Sequence, residues 1–312
     1  MIILQDPVSP PAAEGIAAAL GNFDGLHQGH RALLRAASAM AEETGLAPGV
    51  VTFYPHTAKL LKGQAPVLYT AEQKEELMAE TGQVQWLIRL TFDRTLMELS
   101  PETFVSEVLR QRLNVRGVVV GDNFRFGCRG EGTAGTMEEL CRKKEMACRI
   151  IPRVTAGGEP VCSTRIRKLV TEGRMEEAGE LLARPYFLCA EVTRGKHLGT
   201  RLQVPTINLI PEADQVIPRR GVYVSRTLVD GQARPSVTNV GCNPTVGGEP
   251  LRTETHILDG AGDLYGKKVR VELLHFLRPE IRFENTGTLQ EQLLRDIENA
   301  RKYFEESRTT LR

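Results

Sequence analysis

What the chain lacks narrows its chemistry first. Its six cysteines, Cys128, Cys141, Cys148, Cys162, Cys189 and Cys242, form no C-x-x-C pair, and no Cys/His set stands at zinc spacing. Scattered in this way they read as reduced packing thiols, not as a metal centre or a disulfide framework. Charge of one sign is missing too: 40 basic residues face 39 acidic ones, a net charge of +1. That balance excludes a dedicated nucleic-acid or membrane-surface binder and leaves room for a local basic pocket. No apolar run is long enough to span a bilayer. Met1 to Pro11 has neither the basic nor the apolar region of a secretory signal, so the cytoplasm is the expected location. A Walker sequence is absent, since Gly266-Lys267-Lys268 lacks both the upstream glycine and the Ser/Thr. Gly130-Glu131-Gly132-Thr133-Ala134-Gly135 matches G-x-G-x-x-G, yet nine residues separate it from Val120, where a dinucleotide turn would follow its strand at once. It reads as a flexible loop. There is no internal repeat and no low-complexity segment.

What is present is enough for two domains: 312 residues, 41% hydrophobic. The first half alternates short apolar or β-branched runs (Ile16–Leu20, Val50–Tyr54, Trp86–Phe92, Gly117–Val120, Arg149–Pro152) with helical periodicity (His30–Glu43, Ala71–Glu80, Thr136–Lys144). Ser100-Pro101-Glu102 opens a further helix, with Ser as N-cap and Pro at the first helical position. This rhythm predicts a doubly wound, Rossmann-like parallel sheet. A helical stretch from Ser163 is broken at Ala183-Arg184-Pro185, and the pattern then changes. Tyr186–Thr193, Gly221–Val229, Ser236–Val240, Thr253–Leu258 and Lys268–Leu277 read as strands, Asp230-Gly231 as a hairpin turn, and Thr288–Glu306 as helix. A small antiparallel β-barrel with a C-terminal helix is expected, giving domains over 1–184 and 185–312.

Two segments carry chemistry. Gly21-Asn22-Phe23-Asp24-Gly25-Leu26-His27-Gln28-Gly29-His30 joins the first apolar run to the first helix. Its glycines allow a tight turn and close approach to a ligand. His27 and His30 are three apart, on one face of an opening helix whose N-terminus already favours anions. Two imidazole donors there suit phosphate oxygens and a leaving pyrophosphate. The second segment is Gly195-Lys196-His197-Leu198-Gly199-Thr200-Arg201, a basic, glycine-bearing flap for phosphates, followed by Val204-Pro205-Thr206-Ile207-Asn208. On an extended strand Thr206 and Asn208 face the same side and offer hard oxygen ligands to Mg²⁺. The same spacing also fits an ordinary turn in which Thr and Asn bond the backbone.

The first segment resembles the H-x-G-H signature of nucleotidyltransferases, in the G-x-F-D-G-x-H-x-G-H form of bacterial bifunctional riboflavin kinase/FAD synthetases. Thr52-Phe53-Tyr54-Pro55-His56, Gly121-Asp122-Asn123-Phe124-Arg125-Phe126-Gly127 and Ser163-Thr164-Arg165-Ile166-Arg167 match the same family. The second segment is similar to the G-x-P-T-x-N motif of riboflavin kinases. It is followed in order by Gly221-Val222-Tyr223, Asn239-Val240-Gly241-Cys242-Asn243-Pro244-Thr245, Glu254-Thr255-His256 and Leu264-Tyr265-Gly266. The resemblance covers nearly the whole chain. It implies phosphorylation of riboflavin to FMN by the C-terminal half and adenylylation of FMN to FAD by the N-terminal half, with ATP as co-substrate and Mg²⁺ or a similar cation. By resemblance, ATP phosphates fall to Gly21, Asn22, Phe23, Gly29, Ser163, Thr164, Arg167, Gly195, Lys196 and Gly199, with His27, His30 and Arg165 catalytic. Asp24, Pro55, His56, Asn123, Phe124 and Phe126 would hold flavin, although the residues alone leave either phenylalanine equally a core ring. Glu254 matches the family's catalytic base, and Thr206 and Asn208 its metal ligands.

Thr200 and Gln203 depart from the family pattern, which has Gly-Arg and Gly-Phe-Pro there. They keep open an FAD synthetase with a weakened kinase. A class I aminoacyl-tRNA synthetase or a pantetheine-phosphate-type transferase would share H-x-G-H, but no K-M-S-K-S and no basic tRNA-binding extension is present. A flavin-sensing binder would not require Thr206, Asn208 and Glu254 together. The expected partners are riboflavin, FMN, FAD and ATP, with no nucleic acid and no membrane, in a monomer or weak homo-oligomer.

Overall fold

The computed structural model describes residues 1–57, 66–194, 204–241, 252–260 and 262–310. It divides into two compact units, Met1–Ser163 and Thr164–Arg312. In the first, strands β1 (Ile2–Gln5), β2 (Ile16–Leu20), β3 (Ala47–Tyr54), β4 (Trp86–Thr91), β5 (Val115–Gly121) and β6 (Ala147–Ile151) form one sheet in the order β1-β4-β3-β2-β5-β6. Every neighbouring pair is parallel. Helices α1 (Gln28–Thr44), α2 (Ala71–Glu80), α3 (Phe104–Arg112, wound as a π-helix) and α4 (Ala134–Lys143) connect them. The doubly wound parallel sheet expected from the sequence is therefore the observed one. β2 and the centre of β5 are buried on both faces, which is why they read as unbroken apolar runs. Strand β1 carries no such signal. It is four largely exposed residues at the sheet edge, held by pairing with β4.

The strand order places the functional end. From β2 the chain crosses to β3 on one side, and later returns through β5 on the other. The carboxyl ends of β2 and β5 thus flank a topological switch point, where open α/β sheets form a crevice for ligands. Both the turn 21–27 and the loop 122–127 leave from there. A small hairpin of β7 (Thr155–Ala156) and β8 (Glu159–Pro160) completes the unit.

The second unit takes up α5 (Ser163–Glu172) from Thr164 onward, adds α6 (Met175–Leu182) and continues as a barrel. Strands β9 (Tyr186–Thr193), β10 (Ile207–Leu209), β11 (Gly221–Val229), β12 (Gln232–Gly241), β13 (Arg252–Ile257) and β14 (Lys268–Arg278) close in the order β10-β13-β12-β11-β14-β9. All pairs are antiparallel. Helix α7 (Thr286–Thr310) follows. Its Ala300, Ile297, Tyr303 and Phe304 pack on the outer residues Val222, Val224 and Val237 of β11 and β12. The barrel interior is partly polar. A hydroxyl ladder runs Thr255–Thr238–Ser225–Ser236–Thr227 at oxygen separations of 2.9, 2.7, 2.8 and 2.9 Å. Each buried hydroxyl satisfies another, so the ladder ties β13, β12 and β11 in one register.

Helix α7 is fixed to the barrel by charge as well. Arg278 on β14 grips Asp296 through Nε at 3.0 Å and Nη2 at 2.7 Å, and the Asp296 side chain is 2% exposed. Removing one partner of such a pair leaves a buried, uncompensated charge. Asp296→Ala is expected to destabilise the barrel unit by about 3–5 kcal/mol, read as a lowered urea midpoint.

Candidate active sites

The first site is built on the turn after β2. Gly21 ends the strand by bonding the Val51 carbonyl at 3.2 Å. The backbone then turns through Phe23, Gly25 and Leu26, whose φ values of 54°, 85° and 41° are all left-handed. Leu26 N–H closes the turn on the Phe23 carbonyl at 3.1 Å. Groups from outside clamp it. The Leu68 amide donates to Asp24 Oδ1, and the Ser163 hydroxyl donates to the Asp24 carbonyl, each at 2.8 Å.

The turn delivers His27 as the N-cap of α1, with Nδ1 accepting from the His30 amide at 3.4 Å. An accepting Nδ1 puts the neutral ring's proton on Nε2, which is left as a donor. The His27 and His30 rings stack at 3.7 Å, 17° from parallel. Gly29 makes room for that stack. A Cβ there would sit 3.2 Å from His27 Cε1. The sequence-predicted pair is thus brought together at a helix mouth, where free amides and the helix dipole favour an anion. Asn22 adds a buried Oδ1 without a partner among the described residues, while its Nδ2 donates to Thr57 at 2.9 Å.

Other predicted residues land differently. The Phe23 ring is wholly buried, so what Phe23 offers a nucleotide is its backbone. Asp24 is buried, with Oδ1 used inside the fold. Phe126 belongs to the core, packed against Phe104 at 5.9 Å and stacked on the partly buried Phe124 at 5.7 Å. Gly132, from the sequence that mimics a dinucleotide turn, lies against that core. A Cβ on it would meet Phe126 Cε1 at 2.7 Å, so packing explains the glycine. Asn123 is exposed on the loop after β5, and Pro55 and His56 follow the end of β3. Ser163 opens α5 in the first unit. Thr164, Arg165 and Arg167 continue it in the second, around the buried Ile166.

Sequence reasoning passed over Lys74. Its Nζ donates to the Asn22 carbonyl at 3.1 Å and to Thr52 Oγ1 at 3.4 Å. The available signal was a cation spaced i, i+3, i+4 with Leu77 and Met78, both buried on the inner face of α2.

The second site lies on the outer face of the barrel. Asn208 on β10 stands directly opposite Glu254 on β13, which stands directly opposite Asn239 on β12. Residues opposed in this way point to one face, so the three form a row. Thr206, two residues before Asn208, shares its side by alternation. The approach of this segment is fixed by His256, whose Nδ1 is 2.8 Å from the Pro205 carbonyl. Asn208 is 6% exposed, and its Oδ1 has no partner among the described residues. A buried orphan amide oxygen is costly unless something hard and positive meets it, so the site fits an oxygen-ligated divalent cation. Among the described residues no group of three His, Cys, Asp or Glu offers a competing metal site. Gly195, Lys196 and Gly199 lie outside the described residues.

The chain has relatives that match both halves. A family model described as FAD synthetase matches residues 9–165, and one described as riboflavin kinase matches residues 182–304. A bifunctional riboflavin kinase/FMN adenylyltransferase from Listeria monocytogenes is 34% identical, over 92% of this chain and 91% of its own. The protein of that name from Escherichia coli K12 is 34% identical over 95% of each. The chain belongs to the bifunctional riboflavin kinase/FMN adenylyltransferase family. Both activities have their domain here, and neither match favours the single-activity alternative. A crystal structure from Streptococcus pneumoniae, named a macrolide-efflux protein, superposes with TM-score 0.86 at 28% identity, covering 96% of this chain and 99% of that one. That name belongs to that protein; the likeness carries the fold. No helix among the described residues is long and apolar enough to cross a membrane.

Gly29→Ala is expected to crowd the His27 ring and shift it by a few tenths of an ångström, lowering FAD formation from FMN with little effect on FMN formation from riboflavin. Separate assays of the two steps check it.

Proposed function

We propose that residues 185–312 phosphorylate riboflavin and residues 1–184 adenylylate the FMN so formed, each with its own ATP. The observation that carries the assignment of residues is the pairing of Asn208 with Glu254 across β10 and β13. It sets a metal-ligand candidate beside a base candidate on one face.

In the kinase step the riboflavin 5′-hydroxyl attacks the γ-phosphorus of ATP, and ADP leaves. Glu254 aligns that hydroxyl and takes its proton. A carboxylate is a weak base toward an alcohol, so alignment and late proton acceptance are its main contributions. Thr206 and Asn208 would hold Mg²⁺, which would supply charge neutralisation for the phosphates. Gly195, Lys196 and Gly199 would cover them. In the adenylyl step an FMN phosphate oxygen attacks the α-phosphorus of ATP, the bond to the bridging oxygen breaks, and pyrophosphate leaves. His27 Nε2–H, His30 and the amides of the α1 N-terminus donate to phosphate oxygens as charge develops. Arg165, Arg167, Ser163 and Thr164 would grip the remaining oxygens, a task suited to the guanidinium fork. Asn22 would offer its buried amide oxygen to the nucleotide. Phe124, Asn123, Pro55 and His56 would frame the flavin at the ends of β5 and β3. ATP and flavins as substrates support a cytoplasmic setting.

Two substitutions test the division. His30→Ala removes a donor to developing charge and should lower FAD formation about 10²–10³-fold, with riboflavin phosphorylation intact. Glu254→Ala should abolish FMN formation and leave adenylylation of supplied FMN unchanged. If both steps fell together in either variant, the assignment of one site to each reaction would be wrong. Chelating the divalent cation should stop kinase turnover, and adding Mg²⁺ should restore it.

A further inference from the structure

Lys74 is a charged group that the two reactions as described leave unused. It stands in the first turn of α2, directly after the Thr70–Gln73 capping box. Its two hydrogen bonds, to the Asn22 carbonyl and to Thr52 Oγ1, bridge the turn after β2 to the carboxyl end of β3. The charged groups that act on it are Asp24, Glu75 and Arg89. Glu75 is already paired with Arg89 at 3.3 Å. Burial pushes the Lys74 ammonium below the usual lysine range, while Asp24 and Glu75 pull it back up. Holding an ammonium where burial opposes its charge is costly. A neutral amide donor would satisfy the Asn22 carbonyl without that cost, so the positive charge itself needs a reason.

The turn supplies one. Phe23 and Leu26 are non-glycine residues at φ 54° and 41°. Such conformations persist where the surroundings over-determine them, and they gather at functional sites. Ties from outside hold this turn, among them Lys74 on the Asn22 carbonyl, Leu68 on Asp24 Oδ1, and Ser163 on the Asp24 carbonyl. The Lys74 tie brings a cation. It does so beside Asn22, whose Oδ1 has no partner among the described residues.

We propose that Lys74 is a positioning residue of the adenylyl-transfer site: its ammonium grips the Asn22 carbonyl, fixes the turn that aims His27 and His30, and adds positive charge behind the ATP phosphates. The inference rests on the roles given above to His27 and His30. It assigns Lys74 no contact with substrate and no proton transfer.

The experiment compares Lys74→Met, Lys74→Gln and Lys74→Arg in the full chain, reading kcat and KM for ATP in FAD formation from FMN. Riboflavin phosphorylation in the same preparation is the control for folding, since Glu254 and Asn208 lie in the other compact unit. Lys74→Met is expected to lower kcat about 10²-fold, the size of effect that a misplacement of about 1 Å produces. Lys74→Gln should stay as low, and Lys74→Arg should recover at least about a tenth of wild-type kcat, with FMN formation within about twofold throughout. FAD formation by Lys74→Met within about threefold of wild type overturns the proposal. So does full recovery by Lys74→Gln, which would reduce Lys74 to a hydrogen-bond donor. If Lys74→Met loses kinase activity and its circular dichroism, Lys74→Gln against Lys74→Arg gives the same decision. Normal FAD formation by His30→Ala would instead overturn the underlying reading of the histidine pair.

Discussion

The backbone between Gly21 and His27 is held in a shape that it would not adopt unaided, and the first half of the protein is arranged to keep it there. Two non-glycine residues sit in the left-handed region, and the strain is borne by polar ties from other parts of the chain, among them α2, the segment before it, and the start of α5. In return the helix α1 starts on a histidine, with a second histidine stacked beneath it. Loop conformations at active sites are commonly stabilised by such over-determination. The parallel sheet sets where this happens, because the switch in strand order leaves β2 facing a crevice.

The barrel reaches the same end by regular pairing. Its interior hydroxyl ladder fixes the register of β11, β12 and β13, and the residues that alternate with the ladder point outward. A slip of one residue would send Glu254 inward and break the ladder together. The ladder and the outward row therefore depend on the same register, and Asn208 joins the row from β10 across a pairing of only three residues.

Much of this was legible in the sequence, and the remainder has physical reasons. The alternation of apolar runs and helical periods gave the sheet, because its inner strands are buried on both faces. The H-x-G-H spacing gave the histidine pair, since three residues is nearly one helical turn. Thr206 and Asn208 share a side by the two-residue period of a strand. What a linear pattern does not carry is register between distant strands, so the opposition of Asn208 and Glu254 needed the structure. Nor does it separate a binding ring from a core ring: Phe126 and Phe23 look alike in sequence to ligand contacts but are buried. Lys74 went unread because the capping box beside it signals a helix start and not a ligand, and its meaning comes from Asn22, far away in the chain. The short edge strand β1 has too few buried residues to leave a signal.

The family relationship gives one chain two ATP-dependent reactions, the product of the first being the substrate of the second. The most direct test is a time course of the wild-type protein with riboflavin, ATP and Mg²⁺, resolved by chromatography. The account predicts that FMN rises first and FAD follows at its expense, with ADP and pyrophosphate both released. Accumulation of FMN with no FAD, or no turnover of riboflavin while supplied FMN is converted, would contradict it.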